Sequence, residues 1–213
     1  MFERHLNSAQ MADKIGKDIQ RFVQGVEQLV SRKLPIYAGK TAQQHFRENF
    51  TKGGFVDGGL HPWTPSKRLS SGGQGADSKY GTLLSSRKHL YSSINYTPST
   101  AKVTIFNDVV YAQIHNEGGT IGITPKMRGY AWHRYYELTG KGKSGSNSPK
   151  TRKEGKNAEP VVESAEAKMW KGLALTKKQF VTIPKRQFMG QSAELDDKIA
   201  AYIEREVLKI LNS

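Results

Sequence analysis

The chain has 213 residues, no cysteine and a formal net charge of +14, with a mean hydropathy of −0.63. Without cysteine there are no disulfides and no thiolate-bound metals, and no apolar run reaches the roughly 18 residues that a membrane-spanning helix needs. The length predicts one domain over residues 1–213, and the positive charge favours nucleic acid, anionic surfaces or acidic proteins as partners, with no membrane partner.

Two helices are predicted in the N-terminal quarter of the chain. Apolar residues recur at helical spacing over residues 11–30. This helix is expected to stop before Pro35, because the residue before a proline is disfavoured in the α conformation. A second helix is expected over residues 36–51, with Gly53 as its terminator, so that the two helices would be antiparallel.

The next stretch is predicted to be a loop followed by a hairpin. Residues 53–81 are rich in glycine, serine and proline, and Trp63 is expected to pin this loop to the core. A short helix within residues 83–94 should lead into two strands, 95–97 and 102–106, which form a hairpin.

The segment 109–121 is predicted to fold as a short helix that ends on glycines and continues as a strand. Val110, Tyr111 and Ile114 should face inward. Gly118 and Gly119 should take the left-handed backbone conformation that ends a helix without a Cβ clash. The strand that follows is expected to pair with residues 180–183, which makes residues 125–178 an insertion, partly flexible.

The insertion contains aromatic residues interleaved with basic ones. Three interpretations remain open for them: a subunit interface, ordinary packing within the insertion, or stacking on nucleic acid. The aromatic residues concerned are Tyr130, Trp132, Tyr135 and Tyr136.

A glycine- and serine-rich segment over residues 140–157 concentrates positive charge. It is predicted to be either a solvated flexible loop or a contact with DNA or an acidic partner. Its basic residues are Lys141, Lys143, Lys150, Arg152, Lys153 and Lys156.

The last helix is predicted to begin after Ser192, whose side chain can cap it, and to pack across the sheet. The expected fold class is therefore α+β: N-terminal antiparallel helices and a C-terminal helix packed on a small, mainly antiparallel sheet, with a long basic insertion.

No constellation of residues in the sequence predicts catalysis. His115-Asn116-Glu117 is similar to the first half of a zinc deaminase signature, but that signature also needs a pair of cysteines, which this chain lacks. We expect no catalytic residue, no metal site and no cofactor, and hence a protein that is not an enzyme.

Five phrases, in order, give the chain a family resemblance. They are Phe46 and Phe50 before glycine, the phrase around Trp63, the leucine–serine run at residues 84–94, the phrase 111–119 and the phrase 183–190. Together they resemble the virion morphogenesis proteins of tailed bacteriophages, which include the tail-completion protein of Mu-like phages. The motif residues that this resemblance singles out are Trp63, Tyr111, His115, Gly118, Gly119, Pro184, Arg186 and Phe188. Two positions depart from the usual turn motif, since Lys185 and Gln187 replace an alanine and a second proline.

The resemblance implies a structural protein of the phage neck, built into the virion after assembly in the host cytoplasm. It implies a homo-oligomeric ring, a hexamer or a dodecamer, at the head-proximal end of the tail. Tail-tube or terminator proteins and head connector proteins would be its partners, with non-specific contact to genomic DNA. The alternative functions are a basic nucleic-acid-binding module and a phage-encoded nuclease.

Overall fold

A computed structural model describes residues 8–66, 69, 79–140 and 163–213. It confirms the α+β class, with helices and short antiparallel strands. The chain divides into two compact units, one of residues 1–61, 91–108 and 188–213 and the other of residues 62–90 and 109–187. The single domain, with 125–178 as its insertion, stays a prediction.

The elements are numbered here in chain order. The helices are α1 (Ser8–Gln28), α2 (Leu34–Lys52), α3 (His89–Ser92), α4 (Ala112–Glu117), α5 (Pro125–Thr139), α6 (Ala165–Leu175) and α7 (Ala193–Leu211). The strands are β1 (Gly54–Val56), β2 (Leu60–Pro62), β3 (Ile94–Ser99), β4 (Lys102–Asn107), β5 (Gly119–Gly122) and β6 (Phe180–Ile183).

The predicted break before Pro35 and the predicted antiparallel pair of helices are wrong. A single π-helical turn, Leu29–Lys33, joins α1 to α2, and Leu34 keeps helical dihedral angles of −63° and −46°. Pro35 has no N–H to donate, and the carbonyl of Ser31, four residues earlier, instead accepts from the N–H of Ala101 at 3.4 Å. The proline is thus accommodated within a helical path that runs from Ser8 to Lys52.

The predicted hairpin is confirmed with longer strands. β3 and β4 pair antiparallel from Ile94 opposite Asn107 to Ser99 opposite Lys102. The hairpin packs on α2 at Gly39, where a Cβ atom would lie 2.2 Å from Cδ2 of Tyr96. Glycine at this position lets the ring of Tyr96 lie directly on the helix backbone.

The core of the first unit is aromatic. Phe50 is 1% exposed, and its ring centroid lies 5.2 Å from that of Phe188 and 5.9 Å from that of Tyr91. Asn49, 0% exposed, donates from Nδ2 to the carbonyl of Phe188 and accepts from the N–H of Val56. The amide thereby satisfies backbone groups in a dry core, where an unpaired polar group is costly.

The C-terminal helix α7 is capped as predicted, because the side chain of Ser192 accepts from the N–H of Leu195. Its predicted position across a sheet is wrong, since it packs mainly along α1 and α2. Tyr202 stacks on Tyr37 at 3.7 Å, and a Cβ on Gly25 would lie 2.7 Å from Cγ2 of Ile210. The apolar stripe of α7 is therefore used for packing between helices.

The pairing of the two distant strands in the second unit is confirmed. β5 and β6 run antiparallel, from Gly119 opposite Ile183 to Gly122 opposite Phe180. The expectation that they and the hairpin form one sheet is wrong: the described strands make three separate two-stranded sheets. The inward positions predicted for Val110 and Tyr111 are also wrong, because helix α4 begins only at Ala112 and these side chains are 99% and 44% exposed.

Candidate functional site

Several motif residues meet in the second unit, around the end of α4. Gly118 has φ of +77° and ψ of 178°, and Gly119 has φ of +147°. These angles lie in the extended positive-φ region that is almost restricted to glycine, and not in the left-handed helical region that was predicted. The N–H of Arg186 donates to the carbonyl of His115 at 2.8 Å, so the turn after β6 is attached to α4.

The side chains of Trp63 and Arg186 link the loop at residues 63–65 to the turn after β6. Trp63 is 7% exposed, and its Nε1 donates to the carbonyl of Gln187 at 2.7 Å. Arg186 donates in turn to the carbonyls of Thr64, at 2.8 Å, and Pro65, at 3.4 Å. The side chains of Trp63 and Arg186 thus bind the loop to the turn after β6 by reciprocal contacts to backbone oxygens. Pro184, half-buried, ends β6 before this turn.

Tyr111 immediately precedes α4 and His115 lies on it, with their rings edge to face and the centroids 5.9 Å apart. Burial first, and then the positive charge of Arg186, lower the pKa of His115 below 6.5. The buried Nδ1 of His115 has no hydrogen-bond partner among the described residues. The hydroxyl of Tyr111 lies 3.2 Å from Nδ1 of His89. Burial and the charge of Arg186 thus favour the neutral form of the His115 ring, and among the described residues no carboxylate is hydrogen-bonded to it to orient it for catalysis.

Phe188 belongs to the first unit, where it is 1% exposed. Its ring packs on Phe50 and its carbonyl accepts from Asn49. The motif 183–190 therefore supplies contacts to both units, through Arg186 in one and Phe188 in the other. Sequence reasoning identified the motif but gave no role to Asn49, whose polar character inside an apolar helix face was the available signal.

The aromatic residues predicted as an interface lie on α5. Trp132 stacks on Tyr136, with centroids 5.4 Å apart, and Tyr130 meets Trp170 of α6 edge to face at 5.7 Å. Tyr135 is buried and donates from its hydroxyl to Glu163 at 2.5 Å. Tyr130 and Tyr136 stay 55% and 40% exposed, which leaves them free for contact with another molecule.

Positive charge is in excess on the described part of the insertion. The three acidic side chains there each lie close to a basic side chain: Glu137 and Glu166 lie near Arg134, and Glu163 lies 3.1 Å from Lys171. The described part of the insertion also carries four exposed lysines, Lys126, Lys168, Lys177 and Lys178, and Lys185 is exposed in the turn after β6. The six predicted contact residues, Lys141, Lys143, Lys150, Arg152, Lys153 and Lys156, lie outside the described residues.

The apolar face of α1 is a feature whose role sequence reasoning missed. The apolar spacing predicted the helix, but no residue of α1 is buried. Met11, Ile15, Ile19 and Val23 are each between 54% and 58% exposed. The stripe is therefore a surface of the described chain.

Within the described ranges, no three histidine, aspartate or glutamate side chains are grouped so that they could hold a metal ion. No described helix combines the length and the apolar character needed to cross a membrane.

Comparison with known proteins gives one match. The model of the phage virion morphogenesis family matches residues 14–208. Neither the curated proteins nor the solved structures contain a significant match.

Proposed function

Because the chain belongs to the phage virion morphogenesis family, whose model spans residues 14–208, we propose that it is a structural neck protein that completes the tail and joins it to the DNA-filled head. The family match over nearly the whole chain is the observation that carries this proposal. It establishes a role in phage morphogenesis and association with the virion. The position at the head-proximal end of the tail is the further step that we propose.

The contacts around Gly118 and Arg186 support a scaffolding role. The strand β6 returns after the insertion and pairs with β5, and the side chains of Trp63 and Arg186 bind the preceding loop through backbone carbonyls. These contacts hold β5, β6 and the turn after β6 together as a support from which α5 and α6 extend. Such a support can position neighbouring proteins without a reaction centre.

We propose that the subunits form a closed ring, a hexamer or a dodecamer, between tail-terminator and head connector proteins. A ring requires heterologous contacts, in which two different patches of each subunit meet. The exposed aromatic residues Tyr130 and Tyr136 and the apolar stripe of α1 are surfaces of the required kind.

The net charge of +14 supports contact of the ring with the DNA that passes through the neck. Phosphate neutralisation by lysine does not depend on base sequence. The exposed lysines of the insertion, such as Lys168, Lys177 and Lys178, could serve such a contact or bind an acidic neighbour in the tail.

Disruption of the gene in the parent phage tests the proposed function. We expect DNA-filled heads and tails of normal length that fail to join, with infectivity restored by the wild-type chain supplied in trans. Labelled antibody should then locate the chain at the head–tail junction by electron microscopy. Joined, infectious particles without the chain would contradict the proposal.

The same positive charge favours a second candidate, a free nucleic-acid-binding protein. Duplex DNA titrated with the purified chain across a salt series separates the two functions. Submicromolar binding by the monomer near physiological salt would favour the second candidate. Weak binding, together with incorporation into virions, would favour the neck protein.

A further inference from the structure

We propose that the N-terminal half of α1 and the adjoining end of α7 form the surface through which one copy of this chain binds a second copy. The inference rests on the proposed ring and specifies a contact within it. It is carried by three observations on the described residues: the length of α1 beyond its partner helix, the exposure of its apolar stripe, and its charge.

The first observation is that α1 extends beyond α7. The two helices run antiparallel, because Tyr202 stacks on Tyr37 while Ile210 meets Gly25 further towards the N-terminus. α7 ends at Leu211, and its last residues line one groove with Ile15, Ile19 and Phe22 of α1. The seven residues 8–14 continue past this groove, and at about 1.5 Å per residue they span roughly 10 Å. We call residues 8–23 the arm.

The second observation is that the arm presents an apolar face. Met11, Ile15, Ile19 and Val23 follow one another at intervals of four, which places them on one side of the helix. Each is more than half exposed. Leu211, 60% exposed, continues this face across a groove of about 560 Å³ between the arm and the end of α7.

The size of this face suits a subunit contact. Five half-exposed aliphatic side chains present an apolar patch of several hundred Å², on the order of the largest found on monomeric proteins. A stable contact between proteins buries about 800 Å² on each partner. The arm and the flanking ends of its side chains therefore provide much of one such contact.

The third observation, charge, indicates a second copy as the occupant. The arm carries three basic and two acidic residues, a net charge of +1, whereas the whole chain carries +14. Lys17 contacts Asp13 at 2.7 Å and Arg21 contacts Asp18 at 3.4 Å, so these charges offset each other on the helix itself. Two copies repel each other through strongly basic faces, but the nearly neutral arm can meet another copy with little of that repulsion.

Helix stability points the same way. Most helical stability in proteins comes from packing of the apolar face, and the arm leaves much of that face exposed. A second copy that covers the arm supplies that packing. In a ring, the arm of each subunit would lie on a different patch of its neighbour, as a closed heterologous contact requires.

The test measures the mass of the full chain in solution by sedimentation velocity over a range of concentrations. We expect the wild type to sediment as a dimer or a larger assembly of 23.8 kDa subunits at tens of micromolar. The double variant Ile15→Glu, Ile19→Glu should shift the dissociation constant upwards at least 100-fold. The control Gln20→Glu, Gln24→Glu adds the same two charges at the same spacing on the opposite side of α1 and should behave as wild type.

A cysteine experiment keeps the test valid if the double variant does not fold. The chain has no cysteine, so Ala12→Cys, on the apolar side of the arm, introduces one thiol per copy. With a photoactivatable cross-linker attached to this thiol, we expect illumination to give covalently linked pairs of copies in high yield, whichever patch of the neighbouring copy faces the arm. The variant Gln24→Cys, on the opposite side of the helix, should form at least fivefold fewer linked pairs.

The outcomes separate this inference from the proposed function. A wild-type chain that stays monomeric at every concentration, or an arm variant that assembles like the control, would overturn the inference. Joining of heads and tails in the parent phage would then still test the neck role independently. If the arm variant blocks incorporation into virions while self-association is unchanged, another virion protein covers the arm and the second copy is excluded.

Discussion

A Cβ atom placed on Gly118 would lie 2.8 Å from the backbone nitrogen of Lys185. The end of α4 and the turn after β6 therefore approach each other so closely that no side chain fits between them. Gly118 also has φ of +77°, a conformation that is strained for any residue with a Cβ. The diglycine and the turn motif, 67 positions apart along the chain, are thus parts of one contact.

Substitution Gly118→Val is expected to destabilise the protein by about 2–4 kcal/mol, the combined cost of backbone strain and overpacking. Urea denaturation followed by circular dichroism measures the change. The matched control is Gly122→Val, four residues along, where nothing lies within 4 Å of the Cβ position and φ is not positive. Equal stability of the two variants would show that the close approach does not matter.

The sequence predicted local features well where one pattern decided them. The helical spacing of α1, the cap at Ser192, the terminator at Gly53 and the pairing of β5 with β6 are all confirmed. The predicted helix break at Pro35 was wrong because a π-helical turn gives the preceding carbonyls other hydrogen-bond partners. No sequence pattern predicts that the N–H of Ala101 donates to the carbonyl of Ser31.

The candidate site was only partly predictable for a similar reason. Trp63, Gly118 and Arg186 were identified by motif, but their contacts to backbone carbonyls leave no trace in residue type. The stripe on α1 was found as a pattern, whereas its exposure depends on the point at which α7 ends. Periodicity indicates an apolar face and does not tell which molecule covers it.

Asn49→Ala is expected to cost about 2–4 kcal/mol of stability, since it removes a buried amide that donates to the carbonyl of Phe188 and accepts from the N–H of Val56. The control Gln44→Ala removes an exposed amide from the same helix and should change stability by less than about 0.5 kcal/mol. Chemical denaturation of both variants in parallel measures the two losses of stability. A loss at position 49 no larger than at position 44 would contradict the role given to Asn49.

Glu194 should make the stability of the first unit sensitive to acid. Its own backbone N–H, and then those of Gly58 and Gly59, lower the pKa of its carboxyl below 4.5, with Oε1 accepting from Gly59 at 2.9 Å. A lowered folded-state pKa gives stability that is present above the unfolded value and lost as pH falls through the folded value.

Glu194→Gln should therefore be less stable than wild type at pH 7, and the difference should shrink as the pH is lowered below 4.5. Thermal unfolding at closely spaced pH values measures it. Asp197→Asn removes an exposed carboxylate from the same helix and leaves the Gly58 and Gly59 contacts in place, so it should keep the acid-induced loss seen in wild type. A stability difference between Glu194→Gln and wild type that does not change with pH would contradict the role given to the Glu194 carboxylate.

His115 should also couple stability to pH, but in a higher range. Burial, and then Arg186, lower its pKa below 6.5, so the unfolded chain binds a proton there before the folded chain does. The stabilising effect is complete above pH 6.5 and is lost as pH falls from 6.5 through the folded-state pKa. Nuclear magnetic resonance titration of the His115 ring should give a midpoint below 6.5.

The variant His115→Gln cannot take up that proton, so its stability should fall less than that of wild type between pH 7 and pH 5. Some acid sensitivity should remain, because burial, and then Lys198, lower the pKa of His45 in the first unit as well. Removing the charge with Arg186→Met should raise the midpoint of His115 but leave it below 6.5, since burial is the larger cause. A midpoint at or above 6.5 in wild type would contradict the burial of the His115 ring.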